Sequence, residues 1–83
     1  MKIRLRYFAS VREALETGSE VFDCNASTVA ELRDALVARG GAYARVLAGG
    51  RSLRAALNQT LVDDTAALSE DCEVAFFPPV TGG

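Results

Sequence analysis

Lys2-Ile3-Arg4-Leu5-Arg6-Tyr7-Phe8 alternates polar and apolar side chains with period two, the pattern of a strand buried on one face. Ile3, Leu5 and Tyr7 fall on one side, and Lys2, Arg4, Arg6 and Phe8 on the other. Ser10 and Glu13 have capping-box spacing, which predicts a short helix over Val11 to about Glu16, with Gly18 at its C-terminal cap. Glu20 to Cys24 reads as a second strand. The helix between is too short for a parallel crossover, so the two strands are expected to form an antiparallel hairpin with a helical turn in its loop.

Thr28 and Glu31 form a second capping-box pair and open the main helix, predicted over Val29 to Arg39. Val29, Leu32 and Leu36 recur at helical spacing as its core stripe, with Glu31 and Asp34 on the far side. Gly40-Gly41 end it, Ala42 to Ala48 can form a further irregular helical turn, and Gly49-Gly50 break that turn. Leu53, Ala55 and Leu57 alternate as a third strand, Asn58-Gln59 turn the chain, and Thr60-Leu61-Val62 form a short fourth. Glu73 to Phe77 is the last strand, stopped by Pro78-Pro79. This order predicts an α+β roll, a mixed sheet of about four to five strands packed on one main helix. The grouping fits a β-grasp arrangement, with the first and last strands side by side at the centre.

Composition narrows the chemistry. Eighty-three residues suit one domain, and 49% hydrophobic with 24% charged residues is a globular balance. Histidine is absent, which removes His-based triads, a His general base and His metal ligands. Two cysteines cannot by themselves make a four-ligand zinc site. Cys24 and Cys72 are read as buried small hydrophobes without a disulfide. A net charge of −2 argues against nucleic-acid binding. No apolar run approaches the ~20 residues that span a bilayer, and the N-terminus lacks a signal-peptide core, so a cytoplasmic, reducing location is expected.

The last eight residues, FFPPVTGG, are unlike a frayed end. Each proline fixes φ near −65° and restricts the residue before it, so the segment is expected to leave the sheet stiff and extended. Val80-Thr81 also favour extension. Gly82 and Gly83 carry no Cβ, and their backbone fits a channel too narrow for side chains. The Gly83 α-carboxylate, ionised at pH 7, would be the chemical group at the tip. A bare glycine pair also arises by accident or by cloning; the stiff apolar lead-in is what sets this one apart. Such a carboxylate can attack a nucleotide α-phosphate in a partner's site and become an activated acyl group. That use requires no histidine, metal or catalytic serine in this chain.

FFPPVTGG, together with ALNQTLV upstream and YFASVRE near the start, resembles the small, sulfur-carrying subunits of molybdopterin synthase over essentially the whole chain. The resemblance implies a ubiquitin-like β-grasp domain over residues 1–77 and an extended tail over 78–83, made of Pro78, Pro79, Val80, Thr81, Gly82 and Gly83. It implies that an adenylyltransferase of the ubiquitin-activating type uses ATP to adenylate Gly83, and that a persulfide donor protein then supplies sulfur to leave a thiocarboxylate. No cofactor is expected to be bound by the chain itself. The large synthase subunit would receive the tail, and the sulfur would pass to cyclic pyranopterin monophosphate to build the molybdopterin dithiolene. A heterotetramer with two large subunits is also implied by the resemblance alone. Cys24 and the Arg51-Ser52 stretch depart from the family pattern outside these motifs.

By alternation, Val74 and Phe76 face the core while Phe77, like Phe8, faces away from it. Phe8 and Phe77 on neighbouring strands would make an exposed apolar patch, the usual mark of an interface. The competing reading is that twist or a bulge buries one or both. The family's docking positions carry over to Phe8, Leu61 and Phe77. Lys2, Arg4 and Arg6 are first read as solvated strand charges, although Arg4, Arg6 or Arg12 could pair with acidic partner residues. Three other readings stay open: a thiazole-synthesis sulfur carrier, a ubiquitin-like modifier joined to lysines through Gly83, and an interaction module with an inert tail.

Overall fold

The computed structural model describes residues 1–48 and 53–79. The expected break at Gly49-Gly50, the Arg51-Ser52 stretch and the tail residues Val80, Thr81, Gly82 and Gly83 lie outside the described residues. Within them the chain runs β1 (Lys2–Tyr7), α1 (Ala9–Leu15), β2 (Ser19–Asp23), α2 (Val29–Val37), α3 (Gly41–Leu47), β3 (Arg54–Leu57), β4 (Thr60–Val62) and β5 (Glu73–Phe77). The strands form one five-stranded sheet in the order β2-β1-β5-β3-β4. β1 is antiparallel to β2 and parallel to β5, and β3 is antiparallel to both β5 and β4. The expected mixed sheet, with the first and last strands adjacent at its centre, is the architecture found.

The period-two pattern of β1 decides which face is buried. Ile3, Leu5 and Tyr7 point inward with Val74 and Phe76 of β5 and meet Val29, Leu32 and Leu36 of α2. α2 begins at Thr28, whose Oγ1 accepts the Glu31 N–H at 3.3 Å. The Glu31 carboxylate accepts the Ser27 N–H at 2.8 Å, one residue earlier than a strict capping box. Gly40, at φ 76°, ends the helical run and turns the chain into α3, which is a regular helix with Leu47 buried. Asn58 and Gln59 both hold positive φ, the conformation of a tight hairpin turn between β3 and β4.

The first helix departs from expectation at both ends. α1 starts at Ala9 after Phe8, and no side chain caps it, so Ser10 and Glu13 do not act as a capping box. Ser10 lies inside the first turn, where its hydroxyl cannot reach the leading amides. Glu16 rather than Gly18 closes the helix in the left-handed region at φ 58°, its N–H donating to the Arg12 carbonyl at 2.9 Å. Cys72 is buried, Cys24 is half-buried, and both are free.

One polar cluster crosses between sheet and helices. Glu20 sits on the core side of edge strand β2, opposite Leu5. Its Oε2 accepts the Tyr7 hydroxyl at 2.9 Å and the Tyr43 hydroxyl at 2.7 Å, and its Oε1 pairs with Arg39 at 3.0 Å. The Arg39 guanidinium also lies over the Tyr43 and Phe22 rings, 4.1 and 5.2 Å from their centroids. Burial, then the bond to Glu20, pushes the Tyr7 hydroxyl far above the ordinary phenol range. For Glu20, burial opposes ionisation, but the hydrogen bonds from Tyr43, Arg39 and Tyr7 outweigh it and hold the carboxyl below its usual value.

A carboxyl lowered in the folded state contributes stability that is complete above the ordinary glutamate range and is lost as pH falls through the lowered value. Thermal melts from neutral pH down through that range should show a falling melting temperature for the wild type. Glu20→Gln should lower stability at neutral pH and flatten the acid-side slope; an unchanged slope would remove Glu20 from the cause.

Candidate functional site

The face of the sheet that α2 does not cover is built row by row from the strand register. One row places Val21 of β2, Arg4 of β1 and Glu73 of β5 side by side. The next runs Ser19, Arg6, Ala75, Ala56 and Leu61 across all five strands. The last sets Phe77 of β5 beside Arg54 of β3, with Phe8 following Tyr7 on the other flank. The Phe8 N–H donates to the Phe76 carbonyl at 3.2 Å, which carries the parallel pairing one step past the end of β1.

Alternation therefore brings the expected residues to one face. Phe8 is 43% and Leu61 59% exposed. Phe77 points to the same face but is half-buried. Ala75 turns outward as well, yet only 7% of it is accessible, because Arg6 and Ala56 close over a methyl that cannot project past them. The face thus has an alanine floor, Ala75 and Ala56, between Leu61 on one side and Phe8 on the other. The Arg6 guanidinium lies 5.5 Å from the Phe8 ring centroid, so charge borders the apolar patch directly. Arg4 is steadied by its Nε, which donates to the Asp71 carbonyl at 3.0 Å.

Arg12 is not on this face. It lies on α1 with its guanidinium over Gly18, where a Cβ would come within 3.2 Å of Nε. Arg12 is exposed near the β1–β2 connection. Two contributors went unread in the sequence. Val21, 64% exposed, extends the apolar surface onto β2, and its alternation with half-buried Phe22 was the available signal. Arg54 beside Phe77 follows only from the β3–β5 register, which no local pattern encodes.

The tail leaves from the middle of this sheet. β5 is hydrogen-bonded on both sides up to Phe77, and Pro78 follows at once. Pro78 lines a shallow groove of about 360 Å³ with Ser10, Val11, Ala14, Arg45, Val46 and Leu53. Pro79 is the last described residue, so the placement of Val80 to Gly83 is outside the structure. Among the described residues no group of three or more His, Cys, Asp or Glu side chains could hold a metal ion, and no helix is long and apolar enough to cross a membrane.

The ThiS family model matches residues 5–83. The molybdopterin synthase sulfur carrier subunit of Escherichia coli (strain K12) is 43% identical over 81 residues, covering 98% of this chain and 99% of that protein. The crystal structure of SAMP1 from Haloferax volcanii superposes with a TM-score of 0.79 at 26% identity, covering both chains fully. A complex of subunits 1 and 2 of molybdopterin-converting factor from Helicobacter pylori 26695 contains a chain matching at TM-score 0.65 and 27% identity, again with both chains fully covered.

Exposure on the open face sets the cost of charging it. Leu61→Asp should leave unfolding free energy within about 0.5 kcal/mol of wild type, whereas Phe77→Asp should cost about 1–3 kcal/mol because that ring is half-buried at a central strand. Urea unfolding of the two variants measures the difference, and equal losses would contradict the placement.

Proposed function

The chain belongs to the ThiS family, and from that membership we propose that it is the sulfur carrier subunit of a cytoplasmic molybdopterin synthase. The observation that carries the reading is the position of the tail: the central strand β5, anchored on both sides, runs directly into Pro78-Pro79 beside an exposed apolar patch. An acyl group at Gly83 would project from a fixed base, and a partner gripping Phe8, Leu61 and Phe77 would hold that base in register with its own active site. The relative in Escherichia coli carries the name sulfur carrier subunit, and the Helicobacter pylori structure pairs its small chain with a second subunit, which supports a large-subunit partner here.

In this reading the chain supplies a reagent and a handle, while its partners supply the catalytic groups. A ubiquitin-activating-type adenylyltransferase joins the Gly83 carboxylate to AMP from ATP, turning an oxygen that cannot leave into part of a good leaving group. Sulfur from a persulfide donor replaces AMP and leaves the thiocarboxylate. Gly82 and Gly83 let the backbone enter a channel without side-chain clash, and Pro78-Pro79 reduce the conformational freedom lost on insertion. The sulfur then passes to cyclic pyranopterin monophosphate in the large subunit, two deliveries making one dithiolene. The likeness to the archaeal SAMP1 favours a second reading, a modifier joined to protein amines, which shares the adenylate and diverges afterwards.

Intact mass of the chain purified from cells with sulfur available should show a fraction heavier by the difference between sulfur and oxygen, absent when Gly83 is deleted. No such fraction after incubation with the adenylyltransferase, ATP and a sulfur donor would overturn the carrier reading, and higher-mass conjugates on a denaturing gel would favour the modifier. Leu61→Asp should weaken binding to the large subunit by roughly 30-fold or more, the loss expected of an interface hot spot, with its melting temperature unchanged. Titration calorimetry measures this, and wild-type affinity would exclude Leu61 from the docking surface.

A further inference from the structure

The amines and thiols of this chain gather at one end of the sheet, and the tail leaves from the other. Lys2 is the only lysine; the other cationic side chains are all arginines. Lys2 opens β1 next to the N-terminal amine of Met1, which is ion-paired with Asp23 at 3.1 Å. The hydrogen bond to Asp23 raises the pKa of that ammonium above the ordinary value for an α-amine. The Cys24 N–H donates to the Met1 carbonyl at 2.9 Å, and the Cys72 carbonyl accepts the Arg4 N–H at 2.9 Å, so both thiols belong to this same end.

Distance separates them from the activated terminus. β1 and β5 run parallel, so Lys2 lies about 20 Å along the strand direction behind the level of Phe8 and Phe77. Four residues beyond Pro79 extend at most about 14 Å, and a lysine side chain adds only about 6 Å. Pro78-Pro79 carry the base of that reach about 6 Å further away. The terminus cannot meet its own lysine.

Around the exit the cations are of another kind. Arg54 is the cross-strand partner of Phe77, and Arg45 shares the groove with Pro78; both are exposed. A guanidinium offers charge and hydrogen-bond donors, but it stays protonated and presents no nucleophilic lone pair. A lysine there would have an ordinary pKa of about 10.4, with roughly 0.1% free amine near pH 7.5. Tethered to the tail, that amine would act at an effective concentration on the order of millimolar. Ser10 brings a hydroxyl to the groove, and the chain has no histidine to activate it.

We infer that Arg45 and Arg54 protect the activated terminus from capture by its own chain, supplying positive charge at the tail exit without an amine that could attack Gly83. The inference rests on the carrier reading, in which Gly83 becomes an acyl donor. In the reaction avoided, an amine nitrogen bonds to the Gly83 carbonyl carbon as the bond from that carbon to its leaving group breaks. The leaving group departs with the electron pair, and the nitrogen loses a proton to water. Nothing is oxidised or reduced. The product is an internal amide one water lighter than the free acid, and it can no longer accept sulfur.

The test needs no activating enzyme. The full chain is released from an intein as its Gly83 thioester with a small thiol, incubated at mildly alkaline pH, and followed by intact mass and peptide mapping. Wild type and Arg54→Gln should decay to the free acid alone. Arg45→Lys and Arg54→Lys should raise the dehydrated, internally linked fraction about tenfold or more above wild type, with the link mapped to the introduced amine. Decay of both lysine variants to free acid alone, or an internal amide in wild type, would overturn the inference. Thiocarboxylate formation on the wild type in cells tests the carrier reading separately, so either idea can fail without the other.

Discussion

The parallel pairing of β1 with β5 is the constraint on which the other features depend. It brings Arg4 beside Glu73 and Tyr7 beside Phe76, residues from opposite ends of the sequence. On the inner face it assembles Ile3, Leu5, Tyr7, Val74 and Phe76 into one apolar surface for α2 to cover. On the outer face it sets Phe8 next to Phe77. Bringing such distant segments together costs loop-closure entropy, and burial of the large inward side chains has to offset it. Without this pairing the sheet would divide into the β1–β2 hairpin and a three-stranded β5-β3-β4 sheet, in which β5 would be an edge strand.

Because β5 has a hydrogen-bonded neighbour on each side, its last residue is held far more firmly than the end of an edge strand would be. A surface that grips the open face also fixes the origin and direction of the segment beginning at Pro78. Arg6 over Phe8 and Arg54 beside Phe77 surround the apolar centre with charge, an arrangement that favours orientation and encounter rate more than raw affinity.

Much of this was legible from residues alone, because the signals were local and repeated. β1 shows clean alternation, α2 has its cap and its stripe, and Asn58-Gln59 mark a turn that side chains of their kind tolerate at positive φ. Where the reading failed, a single local cue was outweighed. Ser10 and Glu13 had the right spacing, but the pairing of Phe8 with the end of β5 fixes the chain there and starts the helix two residues earlier than the cap requires. The half-burial of Phe77 and the closure over Ala75 depend on neighbours from three strands. The Glu20 cluster was invisible for the same reason, since Glu20 of β2 meets Tyr7 of β1, Arg39 of the turn after α2 and Tyr43 of α3 only when these elements are packed together.

The placement of β5 also bears on when the molecule can exist. Translation produces β1 first among these strands and β5 last, and the two are neighbours at the middle of the finished sheet. A nascent chain still on the ribosome can form the first hairpin and α2, but it has no mate for the inner edge of β1. Closure waits for the final strand. Prematurely terminated products would lack the central strand of the sheet, leave the inner edge of β1 unpaired, and be open to proteases.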